Sequence, residues 1–326
     1  MSSLPCHSDG VLGKASMQCF PEFVANPQTS RRPHACTRQS STAGEPMVGR
    51  AGMTHLWVLI EHPGPWPASA PDDILPVALT EKIYAAQGRI RVVVIRRTRN
   101  RRVLTPTCVL AWTDGTRQWM REGSVDRYED LSVLPFESMA TGAEPDFGRS
   151  RTEPLFAVCT HGKKDACCAE LGRPVVAALN AAQIADVWEC SHIGGDRFAA
   201  NMIAWPAAVY FSRLDGNSAI DAAEKYQAGE LELLHLRGRA ALSQAAQAAE
   251  HAVRRATDIV ATDALESISE SMDGEHTTVD LRLEGRDFRV VVRSGPPGLP
   301  FRHDCGAGGT VEWSGWTVEH VREQPH

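Results

Sequence analysis

Cys159, Cys167, Cys168 and Cys190 fall within 32 residues of one another, and His192 stands two positions beyond the last. A fold that accepts this segment has to bring reactive, soft side chains together at the ends of its elements. The remaining cysteines of an odd total of nine are scattered: Cys6, Cys19 and Cys36 near the start, Cys108 and Cys305 apart. A disulfide framework suits a small secreted domain, whereas a thiol cluster inside a 326-residue chain points to metal binding or catalysis.

The local pattern sharpens this. Leu155–Cys159 reads as a buried strand that ends on a thiol. Asp165 can cap a following helix whose apolar positions Cys168, Leu171, Val175 and Leu179 recur at three and four residues. Gly172 and Pro174 are expected to kink or divide that helix. Val187–Cys190 reads as a short strand, followed by Ser191-His192-Ile193-Gly194-Gly195-Asp196. Thiolates and imidazole are ligands for zinc or for iron–sulfur iron. Lys163, Lys164 and the helix N-terminus add positive potential that favours thiolate. Gly194 and Gly195 let the backbone approach a bound group, with N–H groups for its sulfurs. Taken alone, Cys167 reads as a small core hydrophobe. Spacing by itself does not separate zinc from an iron–sulfur cluster.

Around this segment the chain divides into four expected parts. Residues 1–43 are rich in Ser, Pro and charge and read as a disordered leader. Residues 44–150 form an N-terminal α/β domain: strand His55–Glu61, a turn at His62-Pro63-Gly64-Pro65 with a packed Trp66, a helix near Thr80–Ala86, and strands Arg91–Arg97 and Thr107–Trp112. Residues 151–256 hold the thiol segment, a hairpin of Met202–Trp205 and Val209–Arg213, a helix capped by Asn217 and an alanine-rich helix over Gly238–Ala256. Residues 257–326 are a small α+β segment in which Val279, Leu281, Leu283, Phe288, Val290 and Val292 alternate around a turn, with Trp316–Val321 as a third strand. The fold class expected is α/β.

Two motifs, CTHGKKDACC (Cys159–Cys168) and SHIGGDRFAAN (Ser191–Asn201), resemble the sucrase/ferredoxin-like family, with weaker likeness in GEPMVG and EHPGPW near the start. The resemblance implies a thioredoxin-like scaffold and a [2Fe–2S] cluster. The family's two cysteines, eight residues between them, fall on Cys159 and Cys168. Its His-x-Gly-Gly-His falls on His192 and position 196, where this chain has Asp196. Either Asp196 or Cys190 could complete the site, since residues 190 and 192 of a strand share a face; a site with three protein ligands is a third option. His161 and Asp165 match the pattern as supporting residues.

The expected function is one-electron transfer rather than conversion of a substrate, with a separate reductase as donor and an acceptor the sequence does not name. No pair of carboxylates for glycoside cleavage stands out, despite the family's name. Two other classes remain open: a structural zinc scaffold, and a thiol or peroxide redox enzyme using Cys167 or Cys168, against which the missing Cys-x-x-Cys counts. A net charge of −6 gives no attraction to nucleic acid. No apolar run reaches the roughly 18–20 residues of a membrane span, and the start lacks the apolar core of a secretory signal, so a cytoplasmic location is expected.

Overall fold

The computed structural model describes residues 32, 35–99, 105–298, 300–302, 304–306, 310 and 312–325, so most of the expected leader lies outside the described residues. Its last part is not a loose tail. Cys36–Thr42 forms α1, with Cys36, Thr37 and Ser40 buried. Short polar stretches look unstructured when the groups that bury them lie far along the chain, and here those groups do. Glu45, fully buried, accepts from Ser40 Oγ at 2.7 Å and from Arg197 Nε at 2.9 Å.

The elements that follow are β1 (Leu56–Glu61), α2 (Val77–Ala85), β2 (Ile90–Arg97), β3 (Thr107–Thr113), β4 (Gln118–Ser124), α3 (Phe136–Ala140) and β5 (Arg149–Ser150). Then come β6 (Leu155–Cys159), α4 (Ala166–Ala181), β7 (Val187–Cys190), β8 (Met202–Trp205), β9 (Val209–Phe211), α5 (Gly216–Gln227) and β10 (Leu236–Arg239). After α6 (Gln244–Thr257), strands β11 (Leu265–Asp273), β12 (His276–Leu283), β13 (Arg286–Pro297) and β14 (Ser314–Glu323) close the chain.

The class is mixed α/β with two sheets. Ten strands lie in the order β10-β9-β8-β6-β7-β2-β1-β3-β4-β5, and four in the order β11-β12-β13-β14. The segments expected as separate domains, 44–150 and 151–256, therefore share one sheet. Each half repeats one plan: a parallel pair joined through a helix (β1-α2-β2, β6-α4-β7), then an antiparallel strand beside the first and another beyond it. The halves meet where β2 and β7 run antiparallel, pairing Ile95 with Cys190.

Strands such as Val92–Ile95 and Leu155–Cys159 are apolar without alternation because both of their faces are covered. One face is covered by helices: α2 and α3 over Leu56, Val58 and Ile60, and α4 and α5 over Phe156 and Val158. The other face is a core common to both halves, running from Trp57, Leu59, Val93 and Ile95 to Ala157, Cys159, Cys190 and Trp205. Trp57 and Trp205 lie on strands four places apart in the sheet, yet their rings meet edge to face at 5.4 Å. The sheet curls on itself around this core.

Several local expectations are corrected. Helix α4 is not divided at Pro174 but continues from Ala166 to Ala181; the bond its missing N–H forfeits is outweighed by burial of Leu171, Val175 and Leu179 on either side. The cap of α5 is Asp215, whose carboxylate accepts from Ser218 N, rather than Asn217. The stretch from Gly238 begins as strand β10, and the helix starts only after Ser243, which caps it. Strand β11 adds an element that the sequence does not announce, because nearly all its side chains are exposed and leave no alternation to read.

Candidate metal centre

Strand β6 delivers Cys159 at its last position, and α4 delivers Cys168 in its first turn. Two local features bring these ends together. The Asp165 carboxylate accepts from Cys167 N at 2.7 Å, which fixes the helix start. Gly172 lets α4 lie directly on β6, because a Cβ there would stand 2.2 Å from the Cys159 carbonyl oxygen. His192 follows β7 by two residues. The ligand atoms of Cys159, Cys168 and His192 all lie within 4.8 Å of one another, with His192 Nδ1 at 3.8 Å from Cys168 Sγ.

The His192 loop is held from every side through its carbonyls. Arg91 Nη2 donates to His192 O at 3.1 Å and Tyr210 Oη to Ile193 O at 3.2 Å. Arg237 Nη1 donates to Gly194 O at 3.0 Å, and Asn201 Nδ2 to Gly195 O at 2.8 Å. A trans peptide directs its N–H opposite to its C=O, so the N–H groups of residues 193 to 196 face away from these anchors. Gly194 and Gly195 take φ of 85° and 75°, values that glycine adopts without penalty. At Gly195 there is no room for a side chain either, since a Cβ would lie 2.3 Å from Arg237 Nη1.

His161 supports the loop from below. Its Nε2–H donates to Pro67 O at 2.7 Å, which leaves Nδ1 to accept from His192 N at 3.2 Å. Burial pushes His161 below the usual imidazole range, in keeping with this neutral tautomer. Trp66 packs edge-on against its ring at 5.9 Å with Arg96 over its own face, so the proline-rich turn walls the site.

Cys168 donates to the Cys159 sulfur, and this, with His192 beside it, holds Cys159 well below the usual thiol range despite its burial. Cys168, which keeps the proton, is pushed up by the same contact and by burial. Metal binding would displace that proton. Cys159 and Cys168 are buried, whereas His192 is half-exposed.

The two candidates for a further ligand lie just outside this group. Cys190 is the register partner of Cys159 in the parallel β6–β7 pair and is fully buried on the same core face. Burial and then the Cys159 thiolate push it up. Asp196 begins the 3-10 turn after the glycine pair, and its carboxyl is pushed up to about 7 by burial and then by a hydrogen bond with Asp165. Lys163 and Lys164 are exposed. Cys167 does not join its neighbour: it faces the helix-covered core, against Cys36 and Cys305. Nothing in the sequence marks those two as partners, since they lie more than 130 residues away on either side in unremarkable local patterns.

A model of one protein family matches residues 47–226, more than half of the chain and all of this site. The chain belongs to the sucrase/ferredoxin-like family. No curated protein and no solved structure was found to match it. The sucrase/ferredoxin-like match takes in both halves of the large sheet except β10 and stops short of the small sheet. Among the described residues no helix is long and apolar enough to cross a membrane.

Proposed function

We propose that this protein is a one-electron carrier in which Cys159, Cys168 and His192 hold a [2Fe–2S] cluster on a scaffold of thioredoxin type. The observation that carries the proposal is the convergence of two thiols and an imidazole within 4.8 Å, in a chain of the sucrase/ferredoxin-like family. The donors suit iron, being soft and borderline, and the thiols are free rather than bridged. The scaffold reading rests on the order β7-β6-β8-β9, in which the strand beside the first is antiparallel to it.

When bound, such a cluster supplies a one-electron couple, with a potential between the about −400 mV of all-thiolate plant-type clusters and the about −150 to +300 mV of two-histidine ones. The chain does the rest. The common core excludes water from the thiol side. His161, Arg91 and Arg237 fix the loop, so His192 is presented without reorganisation. The half-exposed imidazole is where a partner protein comes closest; a separate reductase would deliver the electron there and an acceptor protein would take it. Cys190 completes the ligand set in this proposal, because it shares the core face of Cys159, whereas the Asp196 carboxyl is engaged with Asp165.

The test is anaerobic purification with a visible spectrum and iron and sulfide assays. A red-brown protein with about two of each per chain is expected. One observation favours a second reading: the 3.8 Å from Cys168 Sγ to His192 Nδ1 also suits a single tetrahedral zinc, whose sulfur and nitrogen ligands stand about 3.6 Å apart. A colourless protein with stoichiometric zinc at this site after iron-replete expression would establish that reading instead.

A further inference from the structure

A second group of soft ligands lies at the start of α4 and faces the helix-covered core, whereas Cys159 and Cys168 face the common core. The Sγ atoms of Cys36, Cys167 and Cys305 stand 3.6, 3.3 and 3.5 Å apart. An Asp165 carboxylate oxygen is 3.8 Å from Cys36 Sγ, and ligand atoms of all four residues fall within 4.8 Å of one another. None of the three thiols is in a disulfide. Sulfurs at about 2.3 Å from one tetrahedral zinc are about 3.8 Å apart, so the triangle needs only a slight expansion to take an ion.

The surroundings are built to hold these groups. The Asp165 carboxylate accepts backbone N–H bonds from two of the cysteines, Cys167 and Cys305, each at 2.7 Å. Thr37 Oγ1 lies 3.5 Å from Cys167 Sγ, and Arg32 Nη2 donates to that sulfur at 3.9 Å while pairing with Glu170. Outer contacts of this kind orient ligands and offset the charge of several thiolates. Cys36, Cys167 and Asp165 are buried, and Cys305 is half-buried.

We propose that Cys36, Cys167, Cys305 and Asp165 form a structural zinc site, separate from the centre at Cys159, Cys168 and His192. Three thiolates select a soft or borderline ion over magnesium or calcium. Four protein ligands close the coordination shell, which marks a structural rather than a catalytic site. The ligands come from three distant places: α1, the N-terminus of α4, and the connection between β13 and β14. A helix of seven residues such as α1 does not hold itself together in water, and a metal clasp would tie it to α4. Cys36 and Cys305 lie outside the family match, and the inference does not depend on what occupies the first centre.

The experiment uses the 326-residue chain purified under reducing conditions, with metals measured by elemental analysis. In a Cys159→Ser, Cys168→Ser, His192→Ala background, about one zinc per chain is expected to survive gel filtration. Adding Cys36→Ser and Cys305→Ser to that background should lower zinc at least about tenfold. The same pair of changes in the otherwise native chain should leave the metal held by Cys159, Cys168 and His192, whichever it is, in place. Independently of folding of the variants, Cys36, Cys167 and Cys305 in the native chain should resist alkylation until a chelator is added. Zinc that persists without Cys36 and Cys305, thiols that alkylate at once in zinc-loaded protein, or a Cys167–Cys305 disulfide in the reduced preparation would each overturn the proposal.

Discussion

Cys167 and Cys168 are adjacent in the chain, and α4 turns about 100° per residue, so one sulfur faces the helix-covered core and the other the common core. Substitution should therefore separate them. Cys168→Ser and Cys159→Ser are each expected to abolish the visible absorption of the proposed cluster, while Cys167→Ser leaves it nearly unchanged; iron per chain is the check. The same logic applies to the further ligand. Cys190→Ala should bleach the protein and Asp196→Ala should alter its spectrum little, and the reverse result would move the ligand to Asp196. His161 acts through the backbone of His192. Replacing it with Phe removes the acceptor for His192 N–H and should weaken metal retention roughly 10–100-fold, measured as the rate of iron loss to a chelator.

At the level of elements, the contact that decides the site is the crossing of α4 over β6 at Gly172. An alanine would ordinarily be worth up to about 1 kcal/mol in a helix interior. Here its Cβ would meet the Cys159 carbonyl oxygen at 2.2 Å, and backbone cannot move aside as a flexible side chain can. The overpacking cost, about 1–3 kcal/mol, outweighs the gain in propensity. Gly172→Ala should lower the unfolding free energy in denaturant titrations. It should also lower iron occupancy, since it displaces the two elements that carry Cys159 and Cys168. A stabilised variant with full occupancy would show that α4 has slack against β6.

Across the whole molecule, β10, α6 and the connection that leads into the small sheet are tied by a buried cluster. Glu250 accepts from Arg239 Nε at 2.8 Å and Arg254 Nε at 2.9 Å, and Arg254 Nη1 reaches the carbonyls of Ile259 and Ala261. Burial alone would raise the Glu250 carboxyl, but the charges of Arg239 and Arg254 prevail and hold it below its usual value. A depressed carboxylate contributes stability that is fully present above its unfolded pKa of about 4.3 and is lost as pH falls through the lower folded value. Melting temperature should accordingly drop below about pH 4, and Glu250→Gln should reduce that dependence. Glu250→Ala, which leaves two buried guanidinium groups without their carboxylate, should cost about 3–5 kcal/mol. The two halves of the large sheet share a core through Trp57 and Trp205, so calorimetry on the metal-free chain is expected to show both halves melting in one transition.

Local patterning was enough to read the elements that carry the site: strand Leu155–Cys159, the Asp165 cap, strand Val187–Cys190 and the hairpin at Met202–Phe211, as well as the alternating β12–β13 pair. Each leaves its mark within a few residues, as a period, a cap or an apolar run. The grouping of Cys159, Cys168 and His192 was legible for the same reason, since two short loops suffice to bring them together. What lies between distant segments left no such mark. The joining of two similar halves through β2 and β7 rests on three residue pairs whose partners are more than 90 residues apart, and nothing local announces it. The burial of α1 depends on Glu45, Arg197 and Arg213. Sequence distance hides Cys36 and Cys305 from Cys167, and only the packing of α1 and of the connection between β13 and β14 at the start of α4 brings the three sulfurs within 3.6 Å of one another.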